Sequence, residues 1–241
     1  MKITTRSIFT VFLLFVSLYG VSQPNITANT IASSPGVYGV SQMVAYPSSV
    51  GASGANAVWD FTSLTSTGSS NMSFVAPSST AYASFFPNAT LATPTTTGNG
   101  SGYAYCDVDA SGFVILGTYD TSPTLTRKVT YSDPETQIPA PFTYNSTQTH
   151  SLAATIDQNV SGNITSFSRE GSTIFVGDGY GTLKLPNATI NNVLRIKWIR
   201  TMQDSYMGTP FYTYTDTGYL WVSPAVKIPL LSLYKLTANG Q

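Results

Sequence analysis

Cysteine and histidine are almost absent from this chain of 241 residues, in which each occurs once, as Cys106 and His150. A single cysteine cannot form an intramolecular disulfide bond, so sheet packing has to stabilise the fold. A single histidine excludes a His-x-x-x-His zinc pair, and the sequence has no Gly-x-Ser-x-Gly nucleophile elbow. We therefore find no sign of zinc-dependent or serine-nucleophile hydrolysis, and Cys106 is predicted to be a small buried apolar residue.

Charged side chains are also scarce. They make up 9% of the chain, and 11 basic residues balance 11 acidic ones, whereas ordinary soluble domains contain about 25% charged residues. No strong electrostatic field follows from this balance, which argues against nucleic acid as a partner. The 42% of hydrophobic residues, with 12% aromatic, can bury a core and excludes an intrinsically disordered chain.

Long hydrophobic runs are confined to the amino terminus, where Ile8–Tyr19 follows two basic residues and precedes small ones up to Ser22. The run is shorter than the roughly 20 apolar residues that a membrane-spanning helix needs. This order of charge, apolar block and small residues predicts an export signal over residues 1–22. The expected mature chain, 23–241, has no membrane span. Its expected location is the periplasm, the cell surface or the extracellular space.

Helix signals are nearly absent after residue 22, and segments of alternating polarity recur between clusters of Gly, Pro, Asn and Ser. The pattern predicts an all-β protein, an antiparallel β-sandwich of about a dozen strands with few or no helices. It forms one domain, with two smaller β lobes as the alternative. Three hairpin turns are predicted, at Asp109–Gly112, Arg169–Ser172 and Asp216–Gly218. A helical turn is predicted within Ala81–Phe86, and a loop over Thr93–Gly102.

The segment Asn192–Thr201 has the clearest two-faced pattern. Leu194, Ile196 and Trp198 alternate with Arg195 and Lys197. Because successive side chains of a strand point to opposite faces, we predict that the apolar set lies in the core and the basic set meets water.

Aromatic residues near the carboxyl terminus are candidates for stacking against sugar rings, because an aromatic ring presents an apolar face. The candidate ligand-binding residues are Tyr212, Tyr214, Tyr219 and Trp221 with the basic Arg195 and Lys197. Alternation sends about half of such rings into the core, so core packing is the competing interpretation. Long basic side chains on a strand also protect a sheet from unwanted pairing, without any ligand.

Two further motifs bear on cofactors. Asp107, Asp109 and Ser111, followed by Gly112, match the opening of a calcium loop. The twelfth position of that loop is Thr118 rather than glutamate, so a hairpin turn is the alternative to a calcium site. No other cofactor is expected. The run Gly177–Gly181 is similar to a phosphate loop but precedes a strand instead of a helix, which favours a tight β-connection.

Two stretches carry a resemblance to known proteins. They are Gly177-Asp178-Gly179-Tyr180-Gly181-Thr182-Leu183-x-Leu185-Pro186, continued by Asn192–Lys197, and Tyr219-x-Trp221-x-x-Pro224-x-x-x-Ile228-Pro229-Leu230-Leu231. Both resemble segments of secreted, uncharacterised β-rich proteins of Bacteroidota, of the flavobacterial type. Many such proteins carry a C-terminal sorting domain for type IX secretion. None follows here before Gln241, so the expectation is a truncated chain or another export route.

These observations leave three functions open. The preferred one is a non-catalytic module that binds or adheres to a glycan or a surface protein. The alternative is a carboxylate-dependent polysaccharide hydrolase, because two glutamates, Glu135 and Glu170, and nine aspartates are available as an acid and base pair. The third is a structural component of the cell envelope. A cleft with two acidic side chains favours the enzyme, and a flat exposed row of rings favours binding.

Overall fold

The structure is a computed structural model that describes residues 23–97 and 99–240, so the predicted export signal lies outside the described residues. This part of the chain forms twelve strands and three short 3-10 turns, which confirms the predicted all-β fold. The turns are Ala28–Thr30, Pro77–Ser79 and Ala83–Phe85, the last of them within the predicted helical turn. None of the described helices has the length and apolarity that crossing a membrane requires.

The strands are numbered in chain order. The first six are β1 (Gly36–Met43), β2 (Gly54–Asp60), β3 (Ser66–Phe74), β4 (Leu91–Thr97), β5 (Gly100–Asp109) and β6 (Gly112–Thr121). The last six are β7 (Leu125–Pro139), β8 (Thr147–Val160), β9 (Asn163–Leu185), β10 (Ala188–Tyr206), β11 (Thr209–Ser223) and β12 (Val226–Gly240).

Strands β4 to β12 form an antiparallel meander in which each strand pairs with the next one along the chain. The tenth strand of this sheet is β2, which runs parallel to β9 beside residues 179–184. β8 pairs with β9 only up to Val176, so the rest of that edge of β9 is free to pair with β2. A second, two-stranded sheet consists of β1 and β3. The predicted antiparallel arrangement is confirmed, with two sheets of very unequal size.

Three local predictions are wrong. Arg169–Ser172 lies inside β9 and Asp216–Gly218 lies inside β11, while Thr93–Thr97 belongs to β4 rather than to a loop. The turn-forming residue types were misleading because Arg169 and Asp216 pair across strands with Asp204 and Arg200. The threonines of β4 have side chains that suit a strand.

The turns of the long hairpins lie elsewhere, at Ser161-Gly162 and Met207-Gly208, where both residues have positive φ. Such two-residue turns match the twist of the strands that they join. The predicted turn at Asp109–Gly112 is confirmed, with Gly112 at φ +122°.

The large sheet is strongly curled. Arg200 on β10 forms an ion pair with Glu135 on β7, although β8 and β9 lie between those strands. In a flat sheet β7 and β10 would be about 14 Å apart. We call the inner side the concave face; it carries Phe175, Trp198 and Leu220. The opposite side, which carries Arg195 and Trp221, is the outer face.

Both faces bury apolar side chains. At one end of the concave face, Ile26 and Ile31 of the amino-terminal segment pack with Phe142, Leu194 and Ile196. On the outer face, the segment around β2 covers the sheet, and its aromatic residues pack edge-on against Trp221. Those residues are Trp59 and Phe61. The sheet therefore has a hydrophobic core on each face. The uncovered parts of each face lie outside these cores.

The glycine run Gly177–Gly181 continues β9 instead of connecting two strands, so the predicted tight connection is wrong. A Cβ atom on Gly177 would lie 2.2 Å from the carbonyl oxygen of Thr143, and one on Gly181 would lie 2.0 Å from that of Ala57. The glycines allow neighbouring backbone to approach β9 closely. In particular, Gly181 makes room for β2.

Candidate functional site

The six predicted ligand-binding residues divide between the two faces of the sheet. Tyr212 and Tyr214 lie opposite Asp204 and Met202 of β10 on the concave face. Tyr219, Trp221, Arg195 and Lys197 lie on the outer face. Strand alternation thus prevents these residues from forming the single row that the sequence suggested.

Arg195 is buried, with 2% of its surface exposed, so the prediction that it meets water is wrong. Its guanidinium forms a bidentate ion pair with Asp178, at 2.7 Å from Nε to Oδ1 and 3.0 Å from Nη2 to Oδ2. Nη1 donates to the carbonyl oxygens of Val50 and Gly51 at 2.7 and 3.0 Å. The residues 50–61 that follow β1 fold over the sheet and provide this environment.

Three aromatic rings surround the same guanidinium. Its carbon atom lies 5.2 Å from the ring centre of Trp59, 5.1 Å from that of Tyr219 and 5.8 Å from that of Trp221. Cation–π contacts of this kind are strongest where the cation has lost its water. Tyr219 and Trp221 therefore hold a side chain of the protein itself, and Trp221 is completely buried.

Tyr212 and Tyr214 belong to a second cluster, on the concave face. Their ring centres are 4.7 Å apart, and the guanidinium carbon of Arg169 lies 5.0 Å from the ring centre of Tyr214. Arg169 pairs with Asp204 through two hydrogen bonds, of 2.7 and 2.8 Å. Burial, with the charge of Asp204, raises the pKa of Tyr214. Burial alone would lower the pKa of Arg169, but the Asp204 ion pair outweighs it and raises that pKa.

A cavity of about 350 Å³ opens on the concave face, and we call it the concave cavity. Its apolar lining consists of Phe175, Trp198, Leu220, Leu233 and Tyr234. Its polar lining consists of Thr136, Gln137, Thr173, Arg200 and Ser232. The volume is within the range of about 300–1,000 Å³ that is typical of ligand pockets. The curl of the sheet creates this cavity, because residues of β7 and β12 contribute to the same wall.

Sequence reasoning missed this cavity. Trp198 was predicted to lie in the core with Leu194 and Ile196, and it does lie on their face of β10. It is nonetheless only half-buried and lies against Gly218, the cross-strand residue of β11. The available signal was a tryptophan opposite a glycine of the neighbouring strand, because glycine has no side chain to cover one side of the ring.

A buried ionic network adjoins the concave cavity. Arg200 pairs with Asp216 through Nε at 2.9 Å and through Nη2, and with Glu135 through Nη1. Glu135 also accepts hydrogen bonds from the hydroxyl of Tyr131 and, at 2.7 Å, from the amide of Gln137. Burial, together with the adjacent Glu135 charge, raises the pKa of Tyr131. Burial alone would lower the pKa of Arg200, but Glu135 and Asp216 raise it.

A second depression of about 430 Å³ lies on the outer face, and we call it the outer cleft. Lys197 and Asp178 line it, together with Tyr144 and Asn145 from the segment between β7 and β8. The remaining lining residues are Ser53, Gly54, Ile174, Val176 and Ile199. Of the six predicted ligand-binding residues, Lys197 lines the outer cleft, and none lines the concave cavity.

The predicted metal-binding residues lie in and beside the turn between β5 and β6. The Oδ1 atom of Asp109 accepts hydrogen bonds from the backbone N–H and the hydroxyl of Ser111, at 2.7 and 2.6 Å. Asp107 accepts a hydrogen bond of 2.6 Å from Thr90. Within residues 23–97 and 99–240, no group of three His, Cys, Asp or Glu side chains is arranged to hold a metal ion. The hydrogen bonds around Asp109 account for the turn without a cation.

The single histidine and the single cysteine are both held by contacts within the fold. His150 on β8 bonds through Nδ1 with the hydroxyl of Thr136 and through Nε2 with the amide oxygen of Gln148, at 3.1 and 3.0 Å. These contacts are not those of a serine triad. Cys106 is buried among apolar residues, as predicted, and burial raises the pKa of its thiol to about 12.

No protein-family model, no curated protein and no solved structure matches the chain.

Proposed function

We propose that this protein is an exported, non-catalytic carbohydrate-binding module and that the concave cavity holds a sugar residue of its ligand. The observation that carries the proposal is that one cavity combines two aromatic rings, Trp198 and Tyr234, with short hydroxyl and amide side chains. Tyr234 is 65% exposed although it is a large aromatic residue.

The lining suits a ligand that is apolar on one side and rich in hydroxyl groups on the other. The C–H face of a pyranose stacks on an aromatic ring, and the ring hydroxyls need both donors and acceptors. Thr136, Gln137 and Ser232 supply both kinds of group at the same cavity. The net charge of the lining is small, because Arg200 is already paired with two carboxylates. A neutral sugar therefore fits better than an ionic ligand.

The carboxylate groups near the concave cavity support binding of a sugar without its hydrolysis. Glycoside hydrolysis needs one carboxyl group as a general acid and a second as base or nucleophile, both within reach of the substrate. Glu135 is buried, and both of its oxygens already accept hydrogen bonds from Arg200, Gln137 and Tyr131. Asp216 is buried beside the same arginine. These groups stabilise Arg200 instead of facing the cavity.

The amino-terminal sequence pattern supports export, and we propose the periplasm, the cell surface or the extracellular space as the location. The resemblance to secreted Bacteroidota proteins supports the same interpretation. A surface protein as the partner, or a purely structural role in the envelope, would leave the concave cavity without a sugar ligand.

A glycan-array screen of the purified chain tests the proposal, followed by titration calorimetry with the glycans that bind. Tyr234→Ala should weaken binding about tenfold, since a stacked ring contributes about 1–1.5 kcal/mol. Trp198→Phe, which keeps a ring in place, should weaken it less. The matched control is Tyr206→Ala, because Tyr206 is 45% exposed but does not line the cavity.

Three results would contradict the proposal. They are the absence of any glycan ligand, an affinity that Tyr234→Ala and Trp198→Phe leave unchanged, and release of shorter sugars from a bound polysaccharide. The third result would support a hydrolase instead. A circular dichroism spectrum of each variant confirms that a loss of binding is not a loss of fold.

A further inference from the structure

We infer that the outer cleft is a second binding site and that it takes a carboxylate-bearing sugar residue of an acidic glycan. This inference does not depend on the concave cavity, because the two sites lie on opposite faces of the sheet and share no lining residue. It is carried by the balance of charge in the cleft and by the side chains around Lys197.

The cleft has one unpaired charge. Two charged side chains line it, Asp178 and Lys197. The charge of Asp178 is neutralised by its bidentate ion pair with the buried Arg195. Across the described part of the chain, Lys197 forms no salt bridge, hydrogen bond or cation–π contact. An ammonium group without a partner in this position attracts an anion and gives the cleft an excess of one positive charge.

Lys197 differs in this respect from the other lysines of the described residues. Lys128 pairs with Asp157, and Lys184 lies 4.0 Å from Asp60. Lys227 donates to the carbonyl oxygen of Asn29, and Lys235 lies 4.8 Å from the ring centre of Tyr46. In a chain with so few charges, an ammonium group that lines a cavity without a partner is the exception.

The neighbouring residues indicate a sugar as the carrier of the anion. Asn145 has positive φ, at 64°, and its backbone N–H donates to the carbonyl oxygen of Gly177 at 2.8 Å, which fixes this residue at the rim. Its amide, with the hydroxyl groups of Ser53 and Tyr144, supplies donors and acceptors for sugar hydroxyls. Ile174 and Ile199 are 41% and 37% exposed and offer an apolar surface for ring C–H groups.

An acidic peptide is the less suitable occupant. Extended peptides commonly bind by adding a strand to an open sheet edge. The outer cleft lies on the faces of β9 and β10, which are paired on each side from Ile174 to Val176 and from Lys197 to Ile199. The backbone there has no free row of donors and acceptors to offer a peptide, so recognition has to come from side chains.

The test is affinity electrophoresis and calorimetry of the full purified chain with polygalacturonate, and with its methyl ester as the uncharged counterpart. Wild-type protein should bind polygalacturonate with an affinity that falls as salt rises, and should bind the methyl ester at least about tenfold more weakly. Lys197→Gln should weaken polygalacturonate binding about tenfold, while Lys197→Arg should retain most of it. Lys235→Gln is the matched control and should bind like the wild type.

The outcomes separate this site from the concave cavity. Tyr234→Ala should leave polygalacturonate binding unchanged even if it abolishes neutral-glycan binding, and the reverse should hold for Lys197→Gln. Equal binding by wild type and Lys197→Gln would overturn the inference, as would equal binding of the ester. Poly-glutamate or dextran sulfate binding as tightly as polygalacturonate would overturn the assignment to a sugar carboxylate.

Discussion

Arg195 and Asp178 form a buried bidentate ion pair on the outer face of the sheet, with both N···O distances at or below 3.0 Å. Asp178 occupies the extra position in β9 where the register with β10 shifts between Arg195 and Ile196. The glycine-rich run around Asp178 thus has a structural role, since it places a carboxylate against an arginine that three aromatic rings enclose.

Replacing Arg195 should be severely destabilising. Arg195→Met leaves Asp178 and two backbone carbonyl groups without their donor, and breaking a buried ion pair costs about 3–5 kcal/mol. Arg195→Lys should also be destabilising, because an ammonium group cannot form the bidentate pair. Urea unfolding measures both effects. Lys197→Met, on the same face of the same strand, should change the free energy of unfolding by less than about 1 kcal/mol, and a similar cost for the two methionine variants would refute our account of Arg195.

Removing Arg200 should be strongly destabilising. In Arg200→Met, Glu135 and Asp216 stay buried without their cation, and breaking a buried ion pair in this way costs about 3–5 kcal/mol. Urea unfolding at pH 7 measures the change. Adding Glu135→Gln should recover part of the loss at pH 7, and no recovery would contradict the network.

His150 should make the stability of the protein depend on pH. Burial lowers its pKa despite the nearby Asp109 and Asp133, so the folded state favours the neutral imidazole. Between the lowered pKa and the ordinary value of about 6.5, the unfolded chain binds more protons. Stability should therefore decrease as the pH falls through that interval. His150→Gln should flatten the unfolding free energy there, and an unchanged pH profile would count against this origin.

Gly181 should tolerate no side chain. A Cβ atom there would lie 2.0 Å from the carbonyl oxygen of Ala57, so Gly181→Ala has to displace β2 from β9. We expect a loss of about 1–3 kcal/mol, typical of overpacking, together with faster amide exchange in residues 54–60. Gly68→Ala is the control because nothing lies within 4 Å of the added atom. Equal stability of the two variants would refute the close approach.

Cys106 should be inert in the folded protein. Burial raises the pKa of its thiol to about 12, so the reactive thiolate is scarce and inaccessible at neutral pH. Iodoacetamide should leave the native chain unmodified and alkylate it fully in urea, as intact mass measures. Rapid alkylation of the native chain would show that the cluster around Cys106 opens.

The sequence by itself determined the class of fold. Alternating polarity and turn residues were sufficient for an antiparallel all-β chain and for the Asp109–Gly112 turn, because both depend on near neighbours. The apolar character of a lone cysteine was sufficient to predict the burial of Cys106. Hairpins at Arg169 and Asp216 were predicted wrongly, because those charges find partners on adjacent strands that no local pattern reveals.

Only the tertiary structure decided which faces are covered and where cavities form. Arg195 is buried because residues 50–61, far away in sequence, fold over the outer face and replace the water that a solvated strand would have. The concave cavity exists because the curl brings β7 towards β10, a displacement accumulated over several strands. Period-2 alternation assigns a residue to a face, but coverage and curvature depend on long-range packing, which has no local signature in the sequence.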